Sequence, residues 1–148
     1  MAADLDLVRR LAVADRGLAV VATTRDDRSI HASVVNAGVL EDPITNLAVV
    51  GFVASGTALK LRLLRRSGRA TIVFRAGWEW VAVEGPVRVV GPDDLPEGFA
   101  PDRLAQLLRD VFSAAGGTHE DWSEYDRVMA TERRCAVLID PARLTSNG

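Results

Sequence analysis

The feature that most constrains the fold is a series of five β-type segments between residues 18 and 90, most of them joined by short connections. The segments are LAVVATTR (18–25), IHASVVNAGVL (30–40), LAVVGFVA (47–54), RATIVFR (69–75) and WEWVAVEGPVRVV (78–90), and CAVLID (135–140) adds a sixth. Parallel neighbours need crossovers of a dozen or more residues, so short connections favour antiparallel pairing. The pattern predicts a mainly β protein, a six-stranded antiparallel barrel rather than a doubly wound parallel sheet.

Flanking helices are expected where apolar residues recur at helical spacing. The segments are 5–15, with Asp4 as its N-cap, about 58–66, 102–115, and one marked by Trp122, Tyr125, Val128 and Met129. The 148 residues suit a single domain, 1–148. The third and fifth strands are apolar on both faces. One face fills the barrel, so the other must be covered by a helix or by a second subunit, and we expect a homodimer.

Composition excludes several classes of function. A net charge of −2 argues against a nucleic-acid-binding protein, which usually has a basic excess. No apolar stretch approaches the length that spans a bilayer, and the N-terminus does not resemble a signal peptide, so a cytoplasmic protein is expected. One cysteine and two distant histidines do not form a metal-ligand set, and Cys135 is interpreted as a buried thiol.

No catalytic side chain is assigned from the sequence. It contains no nucleophile elbow, HExxH, Walker loop or GxGxxG motif. If the protein is an enzyme, a bound cofactor is expected to carry the chemistry.

The charges around Lys60 are unusual. Residues 43–78 contain six basic residues and no Asp or Glu, and Lys60 is the only lysine in the chain. If Thr57 caps the helix, Lys60 lies in its first turn, where a cation is disfavoured by the helix dipole. A bound phosphate would reverse that preference, with Gly56 allowing a close approach. The alternative is that Lys60 and Arg62 form a solvated helix face.

Aromatic and polar residues of two strands are further candidates. Trp78 and Trp80 are expected on one side of their strand, either packing in a core or interface or bordering a flat ligand. Ser33 and His31 share one face of the second strand and Asn36 the other. These polar side chains either bind ligand heteroatoms or face water. His119 is interpreted as a loop contact beside a helix capped by Thr118 or Asp121.

Several long blocks of the sequence together carry a family resemblance. They are SVVNAGVLEDPIT, VGFVASGTALKLRLLRR, GRATIVFRAGWEWVAVEGPVRVVGPDDLP, AAGGTHEDWSEYDRVMATERR and the closing PARLTSNG. From about residue 17 to 148 the chain resembles the pyridoxamine-5'-phosphate-oxidase-like family of FMN-binding split β-barrels. It is more closely similar to the actinobacterial branch that uses the deazaflavin coenzyme F-420.

The resemblance implies a homodimer of split barrels with two cofactor sites at the subunit interface. It implies that the phosphate lies by Lys60, near Thr57 and Arg62. The ring would lie against two strand segments, Ser33, Val34, Val35 and Asn36 of one and Val53, Ala54 and Ser55 of the next, while Gly77 and Trp78 approach from the partner chain. Related members often carry an arginine just before the lysine, where this chain has Ala58. That difference would shift the load to Arg62 or Arg65 and leaves FMN as the alternative cofactor.

The resemblance also implies a function. We expect an F-420-dependent oxidoreductase that transfers a hydride to a small unsaturated substrate. The alternatives are a non-enzymatic carrier of F-420, FMN or a tetrapyrrole-like ligand, and an FMN-dependent oxidase of the pyridoxamine phosphate type.

Overall fold

Seven strands and four helices form within residues 3–148, the part of the chain that this computed structural model describes. In chain order they are α1 (Leu5–Ala14), β1 (Leu18–Thr24), β2 (Ile30–Glu41), β3 (Ala48–Ala54), α2 (Leu59–Ser67), β4 (Arg69–Ala76), β5 (Glu79–Val90), α3 (Leu104–Ala114), α4 (Trp122–Thr131), β6 (Cys135–Ile139) and β7 (Arg143–Ser146). A short 3₁₀ turn, Pro101–Arg103, precedes α3.

The strands close into an antiparallel barrel. Its order is β4-β1-β2-β3-β6-β5, and β4 pairs with β5 to complete the circle. The expected six-stranded antiparallel barrel is confirmed. A seventh strand, β7, was not predicted; it lies outside the barrel and pairs with β5 from Val81↔Ser146 to Glu84↔Arg143.

Two long strands each belong to two sheets. The first half of β2 pairs with β1 up to Leu18↔Asn36, and the second half pairs with β3 from Ala37↔Phe52 onward. Similarly, β5 pairs with β4 as far as Pro86 and with β6 from Val87 onward. The bulge or bend expected at Gly85-Pro86 is instead this change of partner, because the register against β4 is continuous there.

Two apolar cores lie on opposite sides of the barrel wall. The interior holds Val50, Phe52, Ile72, Phe74 and Val81, closed by α1 and α2. The second core lies between the outer face of β3 and β6 and the helices α3 and α4. The outward side of the third strand is therefore covered by helices of the same chain, as one of the two expected arrangements requires.

Within residues 3–148, no helix covers the outer face of β1 and β2 in this way. Leu18, Val20, Ile30 and Val34 are all exposed, with Val34 at 63%. Val20 and Val34 are directly opposed across the two strands, and Val20 also faces Val73 of β4. Burying this apolar face would be favourable at about 25 cal/mol per Å².

The helix ends show which local sequence signals determine them. Asp4 caps α1 by accepting the Leu7 N–H at 2.9 Å, as expected. Asp121 caps α4 by accepting the Glu124 N–H at 3.2 Å, so this one of the two predicted caps is confirmed. No helix within residues 3–148 is both long and apolar enough to cross a membrane.

Candidate cofactor site

Helix α2 begins with an unpartnered cation. Lys60 is the second residue of the helix and is partly buried, and burial lowers the pKa of its ammonium group below the ordinary value of 10.5. No acidic residue lies in the first turn, and among residues 3–148 no carboxylate forms an ion pair with Lys60. The position therefore concentrates positive charge that the protein does not neutralise.

The backbone at the start of α2 adds to this positive charge. The Leu59 and Lys60 N–H groups find no acceptor in the described part of the chain, as is usual for the first turn of a helix. The predicted capping role of Thr57 is wrong. The N-cap residue is Ala58, whose methyl side chain accepts no hydrogen bond, and the Thr57 hydroxyl instead lies 3.3 Å from the Ser55 hydroxyl.

The arginines of α2 divide into free and occupied groups. Arg62 is exposed, and its guanidinium forms no ion pair or hydrogen bond within residues 3–148. Arg65 donates from Nε to both carboxylate oxygens of Asp94 at 3.1 Å, and this hydrogen bonding raises its pKa. Of the two residues expected to compensate for Ala58, only Arg62 has an uncommitted charge.

The second predicted segment runs along β2 just before its change of partner. Ser33 and Val35 point to the barrel interior, whereas Val34 and Asn36 point outward. The Ser33 Oγ is buried and has no hydrogen-bond partner within residues 3–148. A buried hydroxyl without a partner is costly unless a further group satisfies it, so Ser33 marks a place where a polar ligand atom or another chain would be stabilising.

The third predicted segment ends β3. Ala54 is buried in the barrel, whereas Val53 is half-buried on the helix-covered face and Ser55 lies at the strand end. The expected role of Gly56 is wrong: a Cβ there would lie 2.5 Å from the Arg133 carbonyl oxygen, and its N–H points to the Glu132 carbonyl at 3.4 Å. The close approach that Gly56 permits is therefore to the chain itself.

Asn36 and Val53 meet in one recess. They line a cavity of about 240 Å³ between the outer face of β2 and β3 and the helices α3 and α4. The sequence analysis did not identify the residues that form its other walls, Phe112, Tyr125, Met129 and Arg134. Tyr125, Met129 and Arg134 belong to the block GGTHEDWSEYDRVMATERR, whose length was a sequence signal, whereas Phe112 lies before that block.

The fourth predicted segment is a hairpin turn, so the expectation that Trp78 lies in a strand is wrong. Ala76 pairs with Glu79, leaving a two-residue loop whose first residue, Gly77, has φ 61°. Glycine at the first central position is typical of the tight turns that join twisted strands. The turn is held by Arg75, which donates to the Gly77 carbonyl at 2.8 Å.

An amide from the end of the chain brackets Trp78. The Asn147 Nδ2 donates to the Trp78 carbonyl at 2.6 Å, and its Oδ1 accepts the Trp80 N–H at 3.0 Å. The Trp78 side chain is 93% exposed. The turn thus fixes the backbone of a residue whose indole the described part of the chain leaves exposed.

The two indoles border one open recess of about 500 Å³, together with Val73, Arg75 and Gly77. Lys60 does not line this recess. The single chain therefore brings Ser33 to Asn36 beside the end of β3, but it does not place Trp78 and Lys60 in one recess.

The remaining candidates have local roles. His31 lies 3.5 Å from Arg25, and the His119 Nδ1 accepts the Asp121 N–H at 3.0 Å, which confirms the expected loop contact. Cys135 is free and buried, as expected, and burial raises the pKa of its thiol. In the described residues no group of three or more His, Cys, Asp or Glu side chains is placed to hold a metal ion.

Comparison with known proteins identifies the fold. No family model matches the sequence. A conserved hypothetical protein from Mycobacterium tuberculosis superposes with a TM-score of 0.69 at 17% identity, over 99% of this chain and 85% of the other. An FMN-binding protein related to pyridoxamine 5'-phosphate oxidase, from Nostoc punctiforme, gives 0.64 at 17% identity over 95% and 79%. The chain has the pyridoxamine-phosphate-oxidase-like split-barrel fold. An F420 reductase gives a TM-score of 0.57 at 14% identity, over 86% of this chain and 88% of that one.

Two features of the split barrel are chemically suited to a phosphorylated ring cofactor. Lys60 and Arg62 offer uncommitted positive charge at a helix start with free N–H groups, which is a suitable environment for a phosphate. The Ser33 hydroxyl lacks a partner, as expected of a group that contacts a heteroatom-rich ring. The chain thus fits a flavin-type cofactor, and these features do not distinguish a flavin from a deazaflavin.

Proposed function

We propose that the protein is a cytoplasmic, homodimeric F-420-dependent oxidoreductase that reduces a small unsaturated substrate. The observation that carries the proposal is the partly buried, unpaired Lys60 beside the free N–H groups of α2. In a chain with this fold, such a site suits the phosphate of a flavin-type cofactor. The choice of F-420 follows the sequence resemblance to the F-420-dependent branch, and FMN is the alternative, since proteins with this fold include both an F420 reductase and an FMN-binding protein.

The residues of the site would bind and orient the cofactor. Lys60 and Arg62 would hold the phosphate, and the segments Ser33–Asn36 and Val53–Ser55 would contact the ring. When bound, F-420 supplies a hydride equivalent and leaves oxidised by two electrons, while the substrate double bond gains that hydride and a proton from water. No side chain needs to act as a nucleophile, which agrees with the absence of a nucleophile motif from the sequence.

Two exposed features of the single chain support the proposed second subunit. The apolar outer face of β1 and β2 is exposed, and so is Trp78. Pairing two copies through this face would bury Val20 and Val34 and would allow Trp78 of one chain to border the site of the other. The prediction is checked by sedimentation velocity: the wild type should sediment as a dimer, and Val34→Asp should sediment as a folded monomer.

The cofactor assignment is tested by fluorescence titration with F-420 and, in parallel, FMN. F-420 should bind the wild type more tightly than FMN. Lys60→Gln should weaken F-420 binding at least tenfold, because a hydrogen bond to a charged group contributes about 1.5–3 kcal/mol. Arg66→Gln is the matched control, since Arg66 lies on the same helix but pairs with Asp26. Equal F-420 affinity in the wild type and Lys60→Gln would remove the phosphate role.

Turnover separates an enzyme from a carrier. The protein is incubated with reduced F-420 and a panel of enones and quinones, and the recovery of oxidised F-420 absorbance is followed. Oxidation faster than the protein-free background supports the reductase. Tight binding without turnover on any member of the panel supports the carrier.

A further inference from the structure

The recess beneath α3 and α4 lies next to the proposed ring site, and its walls formed by these two helices are not assigned to the cofactor. Its volume is about 240 Å³, comparable to about eight water molecules in the liquid at ~30 Å³ each. That space suits one ring or a short conjugated chain. Asn36 and Val53 line it and also belong to the segments proposed to hold the cofactor ring, so an occupant would lie beside that ring.

The walls of the recess are largely apolar and polarisable. The rings of Phe112 and Tyr125 have centroids 5.0 Å apart with a tilt of 37°, and Met129 adds a flexible thioether. The Tyr125 hydroxyl donates to the Leu108 carbonyl at 3.1 Å, and burial raises the pKa of this phenol to about 12. The Tyr125 side chain is therefore an uncharged part of the wall. Its O–H is already hydrogen-bonded to a backbone carbonyl, so Tyr125 is not a candidate proton donor.

Arg134 supplies the one cationic side chain that lines this recess. Its Nε and Nη2 donate to the Glu132 Oε1 at 3.1 and 2.9 Å, whereas its Nη1 has no acceptor within residues 3–148. The ion pair is about one-third exposed on both sides, so it contributes little and can be exchanged for a ligand anion. A guanidinium with a free edge is well suited to a carboxylate.

Asn36 supplies a second polar group to the recess, a hydrogen-bond acceptor rather than a donor. Its Nδ2 donates to the Arg16 carbonyl at 2.7 Å, which fixes the amide. Its Oδ1 has no donor in the described part of the chain and remains able to accept a hydrogen bond. The recess thus combines a cationic side chain, an apolar lining and a hydrogen-bond acceptor.

We propose that this recess binds the electron-accepting substrate, a small conjugated carboxylic acid, with its carboxylate on Arg134 and its unsaturated part between Phe112, Tyr125 and Met129. The assignment of the occupant as substrate rests on the proposed function. The binding site itself rests only on the residues that line the recess. Arg134 is here a specificity-determining residue, which distinguishes an acid from its uncharged analogues.

The experiment measures binding of trans-cinnamate and of uncharged cinnamamide by titration calorimetry and saturation-transfer NMR. Cinnamate should bind the wild type more tightly than cinnamamide. Arg134→Gln should weaken cinnamate at least tenfold and leave cinnamamide within twofold. Glu132→Gln should tighten cinnamate, because it removes the competing carboxylate. Arg127→Gln is the matched control, since Arg127 lies on α4 seven residues before Arg134, pairs with Glu124 and does not line the recess.

The outcomes separate this inference from the proposed function. Wild-type protein that does not bind cinnamate at millimolar concentration, or an Arg134→Gln variant with unchanged cinnamate affinity, overturns the inference. Thermal unfolding of each variant establishes that it is folded, and Met129→Trp, which fills the recess, should abolish binding of both probes. If F-420 fails to bind while cinnamate binds in an Arg134-dependent manner, the cofactor proposal fails and the anion-binding recess stands.

Discussion

Replacing Lys60 by glutamine should stabilise the protein while impairing its proposed function. The ammonium lies in the first turn of α2, where the dipole disfavours a cation by about 0.3–1 kcal/mol. No carboxylate of the described residues compensates, and burial already lowers the pKa of the group. Glutamine keeps two of the four side-chain methylenes and has a similar helix propensity, so we expect the charge term to dominate. We expect a gain of about 0.5 kcal/mol, or about 1–2 °C in Tm.

The measurement is reversible urea unfolding with a shared m-value, at low salt and again in 1 M NaCl. The gain should shrink in high salt, because a partly exposed charge interaction is screened. Arg66→Gln should have the opposite sign, since a cation in the last turn of α2 is favourable and Arg66 also pairs with Asp26. A Lys60→Gln variant that is less stable than the wild type by more than about 0.5 kcal/mol would show that Lys60 is a structural contact, and the reasoning would fail.

The pH dependence of this effect has a definite sign. A cation whose pKa is lowered on folding binds its proton less tightly in the folded state, so its charged form is a cost below that pKa. The wild type should therefore recover stability relative to Lys60→Gln as pH rises towards 10.5.

Three further predictions concern structure that supports the site. Asp42→Ala should cost about 2–4 kcal/mol in urea unfolding, because the fully buried carboxylate accepts the Ile44 N–H at 2.7 Å and pairs with Arg88. The only tyrosine, Tyr125, should titrate near pH 12 by absorbance at alkaline pH, and stability should fall as pH rises from 10 to 12, since the folded state keeps a proton that the unfolded state loses. Asn147→Ala should broaden the side-chain NMR resonances of Trp78 and weaken F-420 binding, with Tm changed by less than about 4 °C.

Each of these predictions has a control or a contradicting result. Asp6→Ala removes an exposed carboxylate and should change stability by less than about 0.5 kcal/mol. A tyrosine midpoint near 10 would contradict the burial of the phenol. Asn147→Asp keeps the acceptor for the Trp80 N–H and should recover part of the lost F-420 affinity. Unchanged F-420 affinity in Asn147→Ala would show that the two Asn147 hydrogen bonds do not contribute to the proposed site.

The barrel was predictable because its signals are local. Antiparallel pairing follows from short connections, and the six barrel strands are visible as β-branched runs between turn residues. The outer strand β7 was missed because RLTS is short, exposed on alternate residues and without an apolar run; its pairing with β5 is a long-range event. Trp78 was assigned to the strand because the Gly77-Trp78 turn is only two residues long.

The unpaired charge at the candidate site could be predicted from the sequence. The residues whose position depends on tertiary contacts could not. The isolation of Lys60 is a property of the sequence, and the structure keeps it unpaired. Gly56 was interpreted as a ligand contact because nothing in the sequence shows that Arg133 approaches it from a segment over seventy residues away. Arg134 and Asn147 were missed for the same reason, since their partners or neighbours lie far along the chain.

The sharing of β2 between two sheets makes this strand intolerant of length changes. Its side chains alternate between barrel interior and outside, so loss of one residue before Ser33 would exchange the two sets on one side of the break. The one-residue change of register would either break the pairing of β2 with β1 or extend past Asn36 and also change the pairing of β2 with β3. Among homologues, insertions and deletions should therefore accumulate in the loop 91–100 and be absent from residues 30–41, whatever small molecule each protein binds.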